Sequence, residues 1–284
     1  MVYKVNVPGV EDLLLRAIEN GELDRVKQLI GSGIDLNTIL HSATRFESTT
    51  ILGTAAYEGQ IKIMEYLLKL GVKINYRDPL CSRTALHWAC MGGQYEAVKL
   101  LIDYKANVNC VDRDNMSPLI SATVLGNVKI VLVLIYQGAM VLQKDRLRCS
   151  ALHYASFLNW SHIVRILIEH GCVMNNKAIY GRGTPLANLV YHGNFENCKR
   201  LIEAGYDLSH DSWLAHIGTS ENLLCSLNEH ELNMLVTEYQ NTKPLQRLCL
   251  KVIRKQFQGV KIEKKIGALP MPDTLKSYLS LNIC

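Results

Sequence analysis

The chain is 284 residues long, 48% hydrophobic and 20% charged, with a formal net charge of +5. Its nine cysteines stand singly without a C-x-x-C pair, which argues against a disulfide framework or a zinc site and for buried thiols in a reducing compartment. The first eight residues lack an apolar signal core, and the longest apolar run, Ile130–Tyr136, is far too short to cross a bilayer.

Residues 1–9 read as an N-terminal extension. A degenerate unit follows from about Val10 to Asn37, with Gly21 and Gly33 at its turns, and then a short insertion near Thr38–Thr49. From Thr50 the chain repeats itself. Thr84-Ala85-Leu86-His87-Trp88-Ala89 returns as Ser150-Ala151-Leu152-His153-Tyr154-Ala155, with weaker copies at Thr50, Ser117 and Thr184. Successive starts lie 34, 33, 33 and 34 residues apart. Nine residues after each start stands a turn residue: Gly59, Gly93, Gly126, Asn159 or Gly193. An apolar helix comes next and stops near Gly71, Gly138, Gly171 or Gly205, the residue type suited to a left-handed C-cap; the copy that begins at Thr84 carries Lys105 there.

A period near 33 with this start resembles the ankyrin repeat. The resemblance implies an all-α ankyrin-repeat solenoid of about six to seven repeats, with the ankyrin repeats covering roughly 10–210. Each unit would be a helix pair plus a projecting finger, and stacking would bury what one unit cannot. Few Thr-Pro starts occur, which leaves room for irregular fingers. Residues 211–240 carry Trp213, Leu214, Leu223, Leu224 and Leu235 among other apolar positions. They read as capping helices that close the stack, or as a degenerate seventh repeat.

An array of this kind binds proteins on its concave side. The exposed positions there are the residues before each inter-helix turn (Tyr57, Met91, Val124, Phe157, Leu158, Tyr191) and those on the fingers (Arg113, Met116, Arg146, Arg148, Tyr180, Arg182). Tyr57, Met91, Val124, Phe157, Tyr191, Arg113, Arg146 and Tyr180 are the candidate substrate-binding residues, since aromatic and arginine side chains make good anchors. The alternative for each is packing against the next repeat.

No nucleophile–base set, phosphate loop or carboxylate pair stands out, so no catalytic residue, metal or cofactor is expected. His87 and His153 recur because they steady the turn by hydrogen bonding to backbone. Through residue 240 there are 22 Lys/Arg and 24 acids, without the basic stripe that nucleic-acid binding requires. From 241 onward there are nine Lys/Arg and two acids. That excess is a solvated face or a complement to acidic partners.

The last segment, 241–284, holds two apolar elements that cannot bury themselves. Leu245, Cys249 and Ile253 are spaced four apart on one helical stripe, widened by Leu248 and Val252, with Pro244 tolerated in the first turn. Cys249 is small and easily buried and lacks the electropositive setting of a reactive thiol. Further on, each proline of Leu269-Pro270-Met271-Pro272 pushes the residue before it into an extended conformation, giving a stiff strap. Asp273 is placed to cap a second helix presenting Leu275, Tyr278 and Leu279.

The first element resembles the Elongin-binding pattern of the SOCS box: a small residue or proline, Leu, three residues, Cys, three residues and an aliphatic. The second resembles the cullin box: Ile266, two residues, Leu-Pro-apolar-Pro and a later Tyr-Leu. Together with the array, the chain resembles the ankyrin repeat and SOCS box family. That resemblance implies a non-catalytic substrate-recognition adaptor of a cullin-RING ubiquitin ligase. Pro244, Leu245, Leu248, Cys249, Val252 and Ile253 would bind Elongin-C, itself paired with Elongin-B. Ile266, Leu269, Pro270, Met271, Pro272, Leu275, Tyr278 and Leu279 would bind a cullin, by family analogy cullin-5, which carries a RING protein. The remaining partner is a protein substrate, with neither nucleic acid nor membrane involved, in the cytoplasm and with the nucleus also open to it. The rival reading is an ankyrin scaffold whose tail only caps the stack.

Overall fold

The computed structural model describes residues 9–42, 47–172, 183–206 and the single positions 211 and 231. The tail readings at 244–279, the finger residues Tyr180 and Arg182, and all of 211–240 except Asp211 and Glu231 lie outside the described residues. The chain divides into two units at Gln137/Gly138.

The first unit holds four helix pairs: α1 (Val10–Glu19) with α2 (Leu23–Gly31), α3 (Ile51–Tyr57) with α4 (Ile61–Lys69), α5 (Ala85–Met91) with α6 (Tyr95–Asp103), and α7 (Pro118–Leu125) with α8 (Val128–Tyr136). The first helices pack side by side, α1 on α3, α3 on α5 and α5 on α7, and the second helices form the outer row α2, α4, α6, α8. The second unit holds α9 (Ala151–Phe157) with α10 (Ser161–Glu169) and α11 (Pro185–Tyr191) with α12 (Phe195–Glu203). There α9 packs on α11 and α10 on α12. This is the all-α repeat architecture expected, with six helix pairs among the described residues.

Each predicted start is an N-cap. Thr50 Oγ1 accepts from Gly53 N at 2.9 Å, Ser117 Oγ from Ile120 N at 3.3 Å and Thr184 Oγ1 from Ala187 N at 3.1 Å. Pro118 and Pro185 take the first helical position, where no N–H is needed. At Thr84 and Ser150 the cap becomes a box closed by His87 and His153. The predicted turns fall at positive φ: Gly59 69°, Gly93 69°, Gly126 80°, Asn159 57° and Gly193 66°. Lys105, standing where other copies have glycine, also takes φ 66°.

The outer helices bury one stripe each. Ile63, Met64, Leu67 and Leu68 in α4 recur in register as Ala97, Val98, Leu101 and Ile102 in α6, and as Ile130, Val131, Leu134 and Ile135 in α8. In the second unit the pattern returns as Ile163, Val164, Leu167 and Ile168. Each such Val, Leu, Ile or Met contributes roughly 1.5–3 kcal/mol when withdrawn from water. The first helices carry small residues at the contact, Ala55, Ala89 and Ala122, all fully buried, so their backbones approach closely.

The insertion before the second pair is a hairpin rather than an irregular loop. Strands β1 (Ile39–Ser42) and β2 (Glu47–Thr50) pair antiparallel, Ile39 opposite Thr50 and Leu40 opposite Thr49. Leu40 is fully buried, and β1 packs against α1.

The three described fingers that carry Asp78, Asp112 and Asp145 are regular, against the expectation drawn from the scarce Thr-Pro starts. A buried aspartate shapes each described turn in place of a proline. Asp78 Oδ1 accepts from Cys81 N (2.6 Å), and its Oδ2 from Arg83 N (3.1 Å) and Trp88 Nε1 (3.2 Å). Asp112 Oδ1 accepts from Asp114 N and Met116 N, both at 2.9 Å. Asp145 Oδ1 accepts from Cys149 N (2.7 Å), and its Oδ2 from the Tyr154 hydroxyl (2.5 Å). The tip four or three residues later is left-handed each time, at Ser82, Asn115 and Arg148 (φ 58°, 61° and 62°).

The close approach of α3 and α5 yields a paired prediction. A Cβ on Gly92 would meet the Tyr57 carbonyl oxygen at 2.2 Å, whereas one on Gly31 would meet nothing within 4 Å. Gly92→Ala is expected to lower stability by about 1–3 kcal/mol through overpacking against backbone. Gly31→Ala is expected to raise it by up to about 1 kcal/mol through helix propensity. Urea denaturation of the two variants checks the pair; equal and opposite signs from those stated would contradict the packing described.

Candidate protein-interaction surface

The candidate anchors occupy the ends of the first helices and the finger tips. In the first unit Tyr57, Met91 and Val124 stand at or near the C-terminal ends of α3, α5 and α7. Val124 is exposed, and Met91 is half-buried. Tyr57 is half-buried too, because its ring meets Trp88 edge-on at 6.2 Å and 70°. In the second unit Phe157 and Tyr191 end α9 and α11 and are 43% and 59% exposed. His192 joins them: its ring stacks edge-on with Tyr191 at 5.2 Å, and its Nε2 lies 2.9 Å from the Phe157 carbonyl oxygen. Leu158 is exposed beside them.

The finger arginines divide by what holds them. Arg113 is exposed, but its main-chain N–H donates to Cys81 O (2.7 Å) and its Nη2 to Pro79 O (3.3 Å), which orients it on the preceding finger. Arg146 and Arg148 are exposed on one tight turn of the second unit, and Met116 is half-buried in the first. Lys144, at the base of that turn, is pushed below the usual lysine range, first by burial and then by Arg148.

Behind the first-unit positions lies a polar framework that the repeat alone did not reveal. Arg83 sits over the Trp88 ring, 5.1 Å from its centroid, and its Nε reaches Asp112 Oδ2 at 3.3 Å. Trp88 is thus fixed by Asp78 from one side, Arg83 from another and Tyr57 from a third. The signal was present as the recurrence of Asp78, Asp112 and Asp145 at intervals of 34 and 33 residues, but an isolated aspartate near a turn reads as solvent-facing.

The recurring histidines are structural. Thr84 N donates to His87 Nδ1 at 3.2 Å, so Nε2 carries the proton and donates to the Met116 carbonyl of the next finger at 3.1 Å. His153 repeats the first contact with Ser150 N at 3.2 Å. His87 is held down to about 4, chiefly because burial strips water from its charged form. Burial pushes the Cys172 and Cys198 thiols up to about 12 and Cys90 higher still. Among the described residues no group of His, Cys, Asp and Glu is arranged to hold a metal, and no helix is long and apolar enough to cross a membrane.

The family model for ankyrin repeats in three copies matches residues 52–145 and again 139–212. The model for the SOCS box matches residues 241–280. The chain belongs to the ankyrin-repeat proteins that carry a SOCS box. Ankyrin repeats bind proteins, SOCS boxes bind Elongin and cullin machinery, and neither module is catalytic. Among curated relatives, the chain is similar to the ankyrin repeat protein YahD of Escherichia coli strain K12, 30% identical over 70% of this chain and 98% of that protein. It is similar also to a Danio rerio protein named as a palmitoyltransferase, ZDHHC13, 25% identical over 85% of this chain. A third similarity is to the Homo sapiens transient receptor potential cation channel subfamily A member 1, 30% identical over 59% of this chain. The chain spans only 37% and 16% of the length of these last two.

Two measurements follow. The unfolded imidazole of His87 takes its proton below about pH 6.5, while the folded one waits until about 4. The unfolded state therefore binds the extra proton, and this contribution is complete above pH 6.5 and declines as pH falls toward 4, by about 1.4 kcal/mol per pH unit. His87→Gln should show a shallower acid decline in urea midpoint than the unaltered chain; parallel curves would contradict a buried neutral imidazole. Second, native maleimide labelling followed by peptide mapping should modify half-exposed Cys81 well before Cys90, Cys172 and Cys198. Comparable rates at all four would mean that the helix contacts open.

Proposed function

We propose that this chain is the substrate-recognition adaptor of an Elongin-cullin-RING ubiquitin ligase. The observation that carries the reading is the union, in one chain, of ankyrin repeats at 52–212 with a SOCS box at 241–280. The repeats hold a target protein, with Tyr57, Met91, Val124, Phe157, Tyr191, Arg113, Arg146 and Tyr180 as the proposed contact set. Pro244, Leu245, Leu248, Cys249, Val252 and Ile253 give an apolar stripe to Elongin-C, which brings Elongin-B. Ile266, Leu269–Pro272, Leu275, Tyr278 and Leu279 select the cullin, with cullin-5 as the proposed choice, and the cullin carries the RING protein. The repeats occupy 10–210, a closing segment 211–240 and the SOCS box 241–284, all acting in the cytoplasm or nucleus.

On this mechanism the chain supplies no reacting group. It converts a bimolecular encounter between target lysine and charged conjugating enzyme into an intramolecular one, and the gain is one of effective concentration. The prolines of Leu269-Pro270-Met271-Pro272 would suit such a role, because they restrict the chain and leave little conformational entropy to be lost on docking.

The test is recovery of Elongin-C on the full chain and on the double variant Leu245→Pro with Cys249→Phe. The proline would interrupt the helix expected from the sequence, and the phenylalanine would overfill a position suited to a small side chain. Recovery should fall by at least about tenfold, equivalent to about 1.4 kcal/mol, with the circular dichroism of the repeats unchanged. Equal recovery from the two proteins would leave only the scaffold reading.

A further inference from the structure

The finger between α4 and α5 frames an open groove of about 600 Å³, lined by Lys73, Ile74, Asn75, Tyr76 and Arg77. Its walls are mostly apolar, with the Tyr76 ring 38% exposed. Two cations and no acid line it. Asp78 follows Arg77 in the chain, yet its carboxylate is only 1% exposed and both oxygens are taken by Cys81 N, Arg83 N and Trp88 Nε1. The Lys73 ammonium and the Tyr76 hydroxyl have no hydrogen-bond or ion-pair partner among the described residues. On the neighbouring tip, exposed Arg113 is followed by exposed Asp114, so the unbalanced positive charge belongs to the groove itself.

The groove is also built in advance. Arg77 Nη1 donates to Val111 O at 2.9 Å, which fixes the guanidinium while leaving its other donors toward solvent. Asn75 Oδ1 accepts from Asn107 N at 2.9 Å, tying this finger to the next. A ligand therefore meets an Arg77 guanidinium whose position is already set, and less freedom is lost there on binding.

We propose that this groove holds an acidic stretch of the target protein, with one apolar side chain seated on Ile74 and Tyr76 and carboxylates beside it on Lys73 and Arg77. That the ligand belongs to a ligase target rests on the adaptor reading above; the chemistry of the groove does not. A nucleic acid is a poorer fit. Two cations neutralise few phosphates, the apolar walls offer nothing to a phosphate backbone, and through residue 240 acids outnumber Lys/Arg by 24 to 22.

The test pans a random decapeptide library displayed on its messenger RNA against the full chain alone. Selected peptides should pair Asp or Glu with a neighbouring apolar residue. They should bind Lys73→Gln about threefold and the Lys73→Gln, Arg77→Gln pair about tenfold more weakly, with affinity falling as salt rises. The Lys73 ammonium has no hydrogen-bond or ion-pair partner among the described residues, so its single variant separates lost binding from lost folding, and Tyr76→Ser should erase the apolar preference while keeping the acidic one. Selection without acidic enrichment, undiminished binding to Lys73→Gln and the double variant, or displacement of the peptides by generic duplex DNA would each overturn the proposal. Since panning needs no Elongin, a failure here leaves Elongin recovery untouched, and lost Elongin recovery leaves the groove untouched.

Discussion

Within each unit, no described helix pair can bury its own apolar stripe, so each depends on contact with a neighbouring pair. In the first unit that contact is anchored by directional polar bonds as well as by packing. His87 accepts from the start of its own helix and donates to the Met116 carbonyl one finger on, while Arg83 reaches across to Asp112. Hydrophobic burial is non-directional and would tolerate sliding of one pair over another. The buried hydrogen bonds remove that freedom, because a register shift would strand them without water or partners. The same bonds explain why the histidine is chemically quiet: both ring nitrogens are committed to backbone.

A fixed register is what lets the exposed positions serve as a surface. Side chains at the ends of α3, α5 and α7 are carried on backbones close enough that Gly92 has no room for a Cβ, and their spacing is inherited from the stack. Tyr57 illustrates the cost of that closeness, since it is drawn partly into the Trp88 contact and offers less of its ring to a partner. The finger of Lys73–Arg77 gains from it, because bonds to Val111 and Asn107 stiffen its walls.

Much of this was legible in the amino-acid order. The starts at Thr50, Thr84, Ser117, Ser150 and Thr184 are all N-caps, and the turn positions Gly59, Gly93, Gly126, Asn159 and Gly193 all adopt the left-handed conformation. Lys105 shows that position outweighs residue type there: the stack enforces a positive φ even where the glycine is missing. Less was legible elsewhere. Asp78, Asp112 and Asp145 are buried and accept from main-chain N–H groups two to five residues on, yet an aspartate near a turn reads as solvent-facing. The β1–β2 hairpin hid in a stretch of mostly polar residues, with Leu40 as its fully buried apolar residue among those described. Burial of Tyr57 depended on a partner, Trp88, in another repeat.

On the proposed function, the chain has a part that chooses and a part that recruits. Quantitative proteomics in cells with the proteasome blocked tests that division most directly, comparing the intact chain with one ending at Gln240, both fused to a proximity-labelling enzyme. The two should label the same neighbours through the repeats, and diglycine-marked lysines on those neighbours should rise only with the intact chain. Equal ubiquitin marking of shared neighbours by both proteins would contradict the account.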